Sequence, residues 1–380
     1  MKRRLVILGA TGSIGRQALE VVACYPERFE VVGLSCRSDW QALSELAAPH
    51  PGATLAVVSP PPGAELPPSA ITGEDANQHL IEATEPDLVL NAIFGMAGLR
   101  PTLTALERGI DVALANKEAL VAGGPLVLVA RQRGKANLIP VDSEHNALHQ
   151  LLRGTDPSEV VEVVLTCSGG PFRGRGRKEL AKVSVEEALA HPTWQMGARI
   201  TLNSATLFNK ALELVEACYL FGLRHEQVRV LVHPQSLIHG MVRLRDGALY
   251  AHLSAPDMRH PIQDALLFPE RGRVDFAPLS PEELSALTFE PVDGETFPAI
   301  ELMREALELG WHGPLILNAA NELALDAFME GRIAFLDLLD TPRRALELVR
   351  SVEAPSPSLE AVEELSRLAG ESLGQSFTAG

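Results

Sequence analysis

Several short polar segments carry residue types that could do chemistry. Asp142-Ser143-Glu144-His145 sets two carboxylates two positions apart. In an extended backbone those positions point to one side. Two carboxylates with a distant third make a hard oxygen site for Mg2+ or Mn2+, although the same residues ahead of a helix can simply cap it. Asn116-Lys117-Glu118 brings one of the chain's six lysines to the end of an apolar run. Ser168-Gly169-Gly170-Pro171-Phe172-Arg173 offers a hydroxyl and bare amides to an anion such as phosphate. The longest segment runs from His191 through Trp194, Met196 and Gly197 to Asn203, Ser204, Asn209, Lys210 and Glu213. On a helix Asn209 and Glu213 share a face, with Lys210 beside it and Ser204 near its N-terminal end. The other face (Leu207, Phe208, Leu212) is apolar, so periodicity alone makes this polar stripe a solvated surface. A Trp and a Met beside His191 suit a loop that closes over a substrate, or a small satellite core. His233 and His239 read as buried, satisfied side chains.

These residues need a scaffold, and the first 140 positions describe one. Apolar runs at 5–8, 31–34, 55–58, 88–90, 112–114 and 138–139 alternate with helical patterns at 15–23, 40–48, 77–83, 99–108 and 125–133. Continuous apolar strands alternating with helices predict a doubly wound parallel sheet. Gly9-Ala10-Thr11-Gly12-Ser13-Ile14-Gly15 follows the first strand and opens the first helix. That setting predicts a Rossmann-like turn that brings a pyrophosphate to a helix N-terminus, with Thr11 and Ser13 as added donors. After the second strand stands Ser35-Cys36-Arg37-Ser38 rather than the acid that holds a ribose 2′-hydroxyl. Arg37 and Ser38 suit a 2′-phosphate, favouring NADP, while Asp39 is a contrary note.

The rest of the chain divides by pattern. Residues 142–270 form an α+β segment with strands expected at 160–166, 229–232, 241–244 and 248–253, and one long helix over 203–217. Residues 271–293 read as a linker, and 294–380 as a helical bundle in which Thr341-Pro342 starts a helix. The fold class expected is α/β: an N-terminal dinucleotide-binding sheet over 1–141, a central α+β catalytic domain and a C-terminal helical bundle.

Composition narrows the function. The net charge is −16, with 33 basic and 49 acidic residues, which disfavours nucleic acid and anionic membrane as partners. The acidity is concentrated after residue 280, where 19 acids face 6 bases, so an anionic substrate meets no strong field over the first 280 residues. No apolar run is long enough to span a bilayer, and Met1-Lys2-Arg3-Arg4 leads into a strand rather than a leader. Cys24, Cys36, Cys167 and Cys218 are scattered with no CxxC, as expected of reduced thiols in a cytoplasm. From the residues alone, a metal-assisted oxidoreductase, a metal-independent one and a non-catalytic NADP-binding module remain open.

The ordered run GATGSIG, NKE, DSEHNA, SGGPFR, HPTWQMG, NSATLFNKALELVEA and HPQSLIH resembles the 1-deoxy-D-xylulose 5-phosphate reductoisomerase family over nearly the whole chain. The resemblance implies an NADPH-dependent enzyme with one divalent cation, Mg2+ or Mn2+. It would convert a small phosphorylated sugar, 1-deoxy-D-xylulose 5-phosphate, to 2-C-methyl-D-erythritol 4-phosphate in the non-mevalonate route to isoprenoid precursors. It implies that Thr11, Gly12, Ser13 and Ile14 line the pyrophosphate, with Asn116, Glu118 and Gly197 also on NADPH. Asp142, Glu144 and Glu213 would hold the metal. Lys117 and Ser143 would meet the hydroxyl end of the substrate, with Lys117 assisting proton transfer. Ser168, Ser204, Asn209 and Lys210 would hold its phosphate, and His191 and Trp194 would contact it. A homodimer formed through the central domain is also implied. The chain departs from the family after the second strand, where Arg37-Ser38-Asp39 replaces a Gly-Lys-Asn type turn.

Overall fold

The computed structural model describes residues 1–190, 197–273 and 275–374. In chain order its strands are β1 (Arg3–Leu8), β2 (Phe29–Cys36), β3 (Thr54–Val57), β4 (Ile71–Thr72), β5 (Leu88–Asn91), β6 (Asp111–Leu114), β7 (Leu138–Pro140), β8 (Val160–Cys167), β9 (Val228–Val232), β10 (Ile238–Leu244), β11 (Leu249–Leu253) and β12 (Glu290–Pro291). Its helices are α1 (Ser13–Cys24), α2 (Trp40–Ala47), α3 (Ala76–Thr84), α4 (Leu99–Glu107), α5 (Lys117–Gly134), α6 (Ser143–Leu152), α7 (Arg177–Leu180), α8 (Val185–Ala188), α9 (Ala198–Ala205), α10 (Phe208–Phe221), α11 (Arg259–Leu267), α12 (Ala299–Leu309), α13 (His312–Met329), α14 (Phe335–Ser351) and α15 (Leu359–Gly374). The chain forms two compact units. One holds Met1–Ala119, Val127–His149 and Asp257–Pro278, and the other Leu120–Leu126, Gln150–Pro256 and Leu279–Gly380.

The first unit is built on a parallel sheet in the order β4-β3-β2-β1-β5-β6-β7. Leu5 to Leu8 of β1 are fully buried, which explains the unbroken apolar run: both faces of a parallel sheet are covered, so no polar alternation survives. Strand order reverses between β1 and β5, and the carboxyl ends of strands at such a reversal are where open α/β sheets bind ligands. The segment Asp257–Pro278 belongs to this unit, where Ile262, Ala265 and Leu266 of α11 join Val21 and Val22 of α1 in one core. Gln263 ties the two by donating to the Tyr25 hydroxyl at 2.6 Å.

One helix differs from expectation here. The pattern predicts a helix from Pro125, but α5 starts at Lys117. Gly123 leaves helical geometry (φ −125, ψ 22) just before Pro125 and joins two helical pieces across a kink. The Gly-Gly-Pro sequence hid the first piece.

The second unit carries a mixed sheet in the order β11-β10-β8-β9-β12. Strands β8 and β9 run parallel, while β10 is antiparallel to β8 and β11. The two-residue β12 pairs with β9 from within 271–293. Helices α12 to α15 form the expected helical region, with α13 packed against the other three. Helix α14 begins at Phe335 rather than Thr341, and Thr341 sits inside it with its hydroxyl donating to the Asp337 carbonyl at 2.9 Å. Phe335 explains the early start: its ring packs edge-on against Phe172 and Phe328 at 4.9 and 5.7 Å, so tertiary contacts fix a turn that Pro342 would discourage.

The helix expected over 203–217 is two helices. Leu207 takes a left-handed conformation (φ 57) between α9 and α10. Thr206 stabilises the break, its hydroxyl donating back to the Leu202 carbonyl at 3.1 Å and accepting from the Phe208 amide at 3.4 Å.

Candidate active site

The nucleotide end of the first unit forms at the carboxyl end of β1. The turn that holds Thr11, Gly12, Ser13 and Ile14 is pinned from β2: the Ala10 amide donates to the Ser35 carbonyl at 2.7 Å and the Gly9 amide to the Ser35 hydroxyl at 3.3 Å. Ser35 is 1% exposed and was not singled out from the sequence. Its signal is a hydroxyl inside an otherwise apolar strand. Gly15 lies where a Cβ would stand 2.5 Å from the Gly9 carbonyl oxygen, so only glycine lets α1 start this close to the turn. Gly12 and Ser13 are exposed at the opening of α1.

Arg37 and Ser38 follow β2 and are exposed. Asp39, the contrary note, is the N-cap of α2: its carboxylate accepts from the Ala42 amide at 3.1 Å. Asn116 caps α5 by accepting from Ala119 at 2.6 Å, and its amide donates to the Gly95 carbonyl at 2.7 Å and to the Ile93 carbonyl. Its side chain thus ties the loop after β5 to the start of α5. Glu118 is buried in the first turn of α5.

A second polar group of the same unit forms after β6 and β7. Lys117 Nζ donates to Asp142 Oδ2 at 2.5 Å. His145 Nδ1 lies 3.2 Å from Asp142 Oδ1, with the ring fully buried. Asp142 therefore presents one oxygen to each. The alternation argument for Asp142 and Glu144 does not apply, because α6 begins at Ser143 and the Asn146 amide closes the first helical bond onto the Asp142 carbonyl at 2.8 Å. Ser143 donates to Glu144 Oε2 at 2.6 Å. Asn146, also buried, anchors this helix start by donating to Pro140 O and Asp264 Oδ2, each at 3.1 Å. His145 and Asn146 were quoted in the motif but given no role, and their spacing from Asp142 on a helix is the signal that could have found them.

The second unit assembles another group. Ser168, nearly buried after β8, accepts from the Gly170 amide at 3.2 Å. Gly170 is left-handed (φ +70), and a Cβ there would stand 2.6 Å from the Ser204 carbonyl oxygen, so the Ser-Gly-Gly turn rests directly on the end of α9. On α10, Asn209 donates to Glu213 Oε1 and Lys210 donates to Glu213 Oε2. Lys210 and Glu213 are 3% and 1% exposed. Lys210 and Glu213 of the polar stripe are therefore buried and Ser204 and Asn209 half-buried, against the solvated-surface reading. A buried carboxylate facing a buried ammonium is costly to build and signals chemistry more than stability.

Gly197 opens α9 as its N-cap. His191, Trp194 and Met196 lie outside the described residues. His233 is fully buried and satisfied, with Nδ1 2.9 Å from the Thr288 carbonyl and Nε2 accepting from the Leu237 amide, as expected. His239 is buried with Nε2 3.2 Å from the Ser254 carbonyl.

The chain is similar to known proteins over nearly its whole length. A family model described as 1-deoxy-D-xylulose 5-phosphate reductoisomerase matches residues 5–124, and models of that enzyme's C-terminal domains match 138–221 and 253–371. A protein of Nocardia farcinica named 1-deoxy-D-xylulose 5-phosphate reductoisomerase is 48% identical over 367 residues, 96% of this chain and 92% of that protein. The chain belongs to the 1-deoxy-D-xylulose 5-phosphate reductoisomerase family. A family member of Symbiobacterium thermophilum is 46% identical over 93% of this chain and 94% of its own length. A solved structure described as DOX-P reductoisomerase in complex with NADPH, fosmidomycin and magnesium matches with a TM-score of 0.92 at 32% identity, covering 99% of this chain and 98% of that one. The Zymomonas mobilis enzyme, solved with NADPH, matches at 0.90 and 35% identity over the full length of both chains. The α/β class, the N-terminal parallel sheet and the helical C-terminal region read from the sequence are thus the reductoisomerase fold. No described helix is long and apolar enough to cross a membrane.

Proposed function

We propose that this chain catalyses the NADPH- and divalent-metal-dependent conversion of 1-deoxy-D-xylulose 5-phosphate to 2-C-methyl-D-erythritol 4-phosphate, in the non-mevalonate route to isoprenoid precursors. One observation carries the reading within this family. Each unit holds a carboxylate proposed for the cation against a lysine proposed for the substrate, Asp142 on Lys117 and Glu213 on Lys210.

The residues suit the absent groups. Asp142, Glu144 and Glu213 offer hard oxygen donors of the kind Mg2+ and Mn2+ take. The turn at Gly9–Gly12, kept open by Gly15, suits a pyrophosphate. When bound, the cation supplies Lewis-acid polarisation and NADPH supplies the hydride.

The chain's own residues bind and orient. Thr11 to Ile14 meet the pyrophosphate, Arg37 and Ser38 the 2′-phosphate, and Asn116, Glu118 and Gly197 complete the NADPH contacts. Asn116, whose side chain is committed to its loop, would contribute through its backbone. Ser168, Ser204, Asn209 and Lys210 hold the substrate phosphate, and binding energy taken there orients the reacting carbons at a distance. Lys117 and Ser143 meet the hydroxyl end. Lys117 Nζ, already carrying a proton shared with Asp142, is the group placed to hold or deliver one. His191 and Trp194 are assigned to substrate by family pattern. On this reading residues 1–141 bind NADPH, 142–270 supply the substrate and metal side chains, 271–293 connect, and 294–380 form the helical domain.

We assign the partner of the outer strand to a second copy of the chain. Among the described residues strand β11 pairs only with β10, and Leu249, Tyr250 and Leu253 on it are 47%, 55% and 36% exposed. An apolar sheet edge of that kind is protected by pairing, and a homodimer about a two-fold axis is the simplest closed arrangement. The proposed compartment is the cytoplasm, in keeping with four scattered cysteines and no CxxC pair.

NADPH absorbance with the phosphorylated ketose tests the activity, with and without EDTA and with NADH in place of NADPH. Metal-dependent decay that prefers NADPH is expected. Turnover insensitive to EDTA, or no turnover despite NADPH binding, overturns the reading.

A further inference from the structure

Helix α9 ends at the proposed phosphate site, yet its orientation is not inherited from a longer element. It has eight residues, and the left-handed Leu207 uncouples it from α10. A helix this short does not hold its own conformation or direction in water. Something else must fix Ser204, its penultimate residue.

Two contacts tie α9 to α13 of the C-terminal helices. Arg199 pairs with Asp326, but both side chains are about a third exposed (33% and 39%), and such pairs contribute little. One turn along α9 the amide of Asn321 donates to Asn203 Oδ1 at 2.8 Å, with the two residues 1% and 3% exposed. A buried amide is costly unless bonded, so this pair admits one register of α9 against α13 and penalises others. Asn203 directly precedes Ser204, whose carbonyl supports the turn at Gly170.

We infer that Asn321 is a positioning residue for recognition of the substrate phosphate. It acts through Asn203 to set Ser204 and touches no reacting atom. The C-terminal helices thereby contribute to substrate affinity and not only to stability. The inference rests on the reading that Ser204 holds the phosphate.

Steady-state kinetics of Asn321→Leu, Ser204→Ala and the double variant test it, with NADPH dissociation constants measured separately by fluorescence titration. Asn321→Leu is expected to raise KM for the phosphorylated ketose about tenfold, the scale of one lost buried hydrogen bond. Turnover should stay within about twofold, and NADPH affinity should change far less than KM, because Gly197 is the one residue at α9 proposed to meet that cofactor. Because Asn321 acts through Ser204, the double variant should be no worse than Ser204→Ala alone. Should Asn321→Leu not fold, Asn321→Ala removes the same donor with less bulk and is read in the same way. An unchanged KM, an equal fall in kcat and NADPH affinity, or effects that multiply in the double variant would overturn the inference while leaving the phosphate reading intact. A silent Ser204→Ala would overturn both.

Discussion

Replacing Gly170 by alanine probes the phosphate site with a displacement that the structure sets. The residue sits at φ +70, where an L side chain costs roughly 1–2 kcal/mol. The added Cβ would lie 2.6 Å from the Ser204 carbonyl oxygen, and ordinary contact begins at 3.4 Å, so about 0.8 Å must be found. The obstacle is backbone and cannot rotate away. Either α9 retreats or the Ser168 turn lifts, and both separate groups proposed to hold one phosphate. Misplacement on the scale of 1 Å can cost on the order of a hundredfold. The strain alone corresponds to about five- to thirtyfold. Gly170→Ala should therefore raise KM for 1-deoxy-D-xylulose 5-phosphate at least about tenfold, read from NADPH absorbance over a range of substrate. NADPH affinity, proposed to rest mainly on the other unit with Gly197 the one contact from α9, should change far less than KM. Gly169→Ala is the matched control. It carries the same left-handed strain (φ +87), but its Cβ would meet the Val232 and Arg173 side chains at 2.9 and 3.0 Å, which can give way. If the two variants behave alike, or if Gly170→Ala moves KM less than about twofold, displacement of Ser204 is not what sets substrate affinity, and the argument fails.

Other outcomes follow from the same geometry. Asp142→Asn and Glu213→Gln should each lower metal-dependent turnover about a hundredfold or more while NADPH still binds, as judged by fluorescence titration. Arg37→Ala should weaken NADPH about ten- to a hundredfold, the worth of a hydrogen bond to a charged group, and leave NADH unchanged. Burial pushes the Glu322 carboxyl above its ordinary value. Its folded form therefore favours the proton, so its contribution to stability is present in acid and is lost as pH rises through the raised value. Glu322→Gln should accordingly raise Tm at neutral pH, and the gain should shrink toward zero below the ordinary glutamate range. Leu253→Glu together with Tyr250→Glu should lower the sedimentation mass toward one chain if β11 is the dimer edge, with Tm of the isolated chain little affected because both side chains are exposed.

Much of the scaffold was legible because it follows from burial. Leu5-Val6-Ile7-Leu8 has one reading, a strand covered on both faces, and the glycine turn after it has one helix to open. The misses have other causes: a local break inside a helix, or determinants distant in sequence. Gly123 breaks a helix that Lys117 had already started. Phe335 begins α14 because Phe172 and Phe328 are waiting for its ring. Asp257–Pro278 joins the first unit through α1, more than two hundred residues earlier, and nothing within the segment announces that partner.

The site shows the same division more sharply. Which residues matter was legible from their types and order, but what they do to one another was not. Periodicity placed Asn209, Lys210 and Glu213 on a polar face and assigned that face to water. A helix with a polar stripe is ordinarily read that way because buried charge is expensive. Here the structure buries Lys210 and Glu213 against each other and covers the apolar face as well. Such an arrangement loses stability relative to an apolar core, and nothing in folding requires it. A similar pairing of Lys117 with Asp142 occurs in the other unit, with Asp142 also facing a buried imidazole. Two such pairs, each joining a group suited to a cation with one suited to an anionic substrate, are explained by ligands that engage the carboxylate and the lysine of each pair. On that account Asp142 and Glu213 would hold the cation while Lys117 and Lys210, beside them, would hold the substrate. Phosphate and metal should therefore bind with positive coupling. Isothermal titration of Mn2+ in the presence and absence of a phosphonate analogue would measure it, and independent binding would remove this explanation for the two pairs.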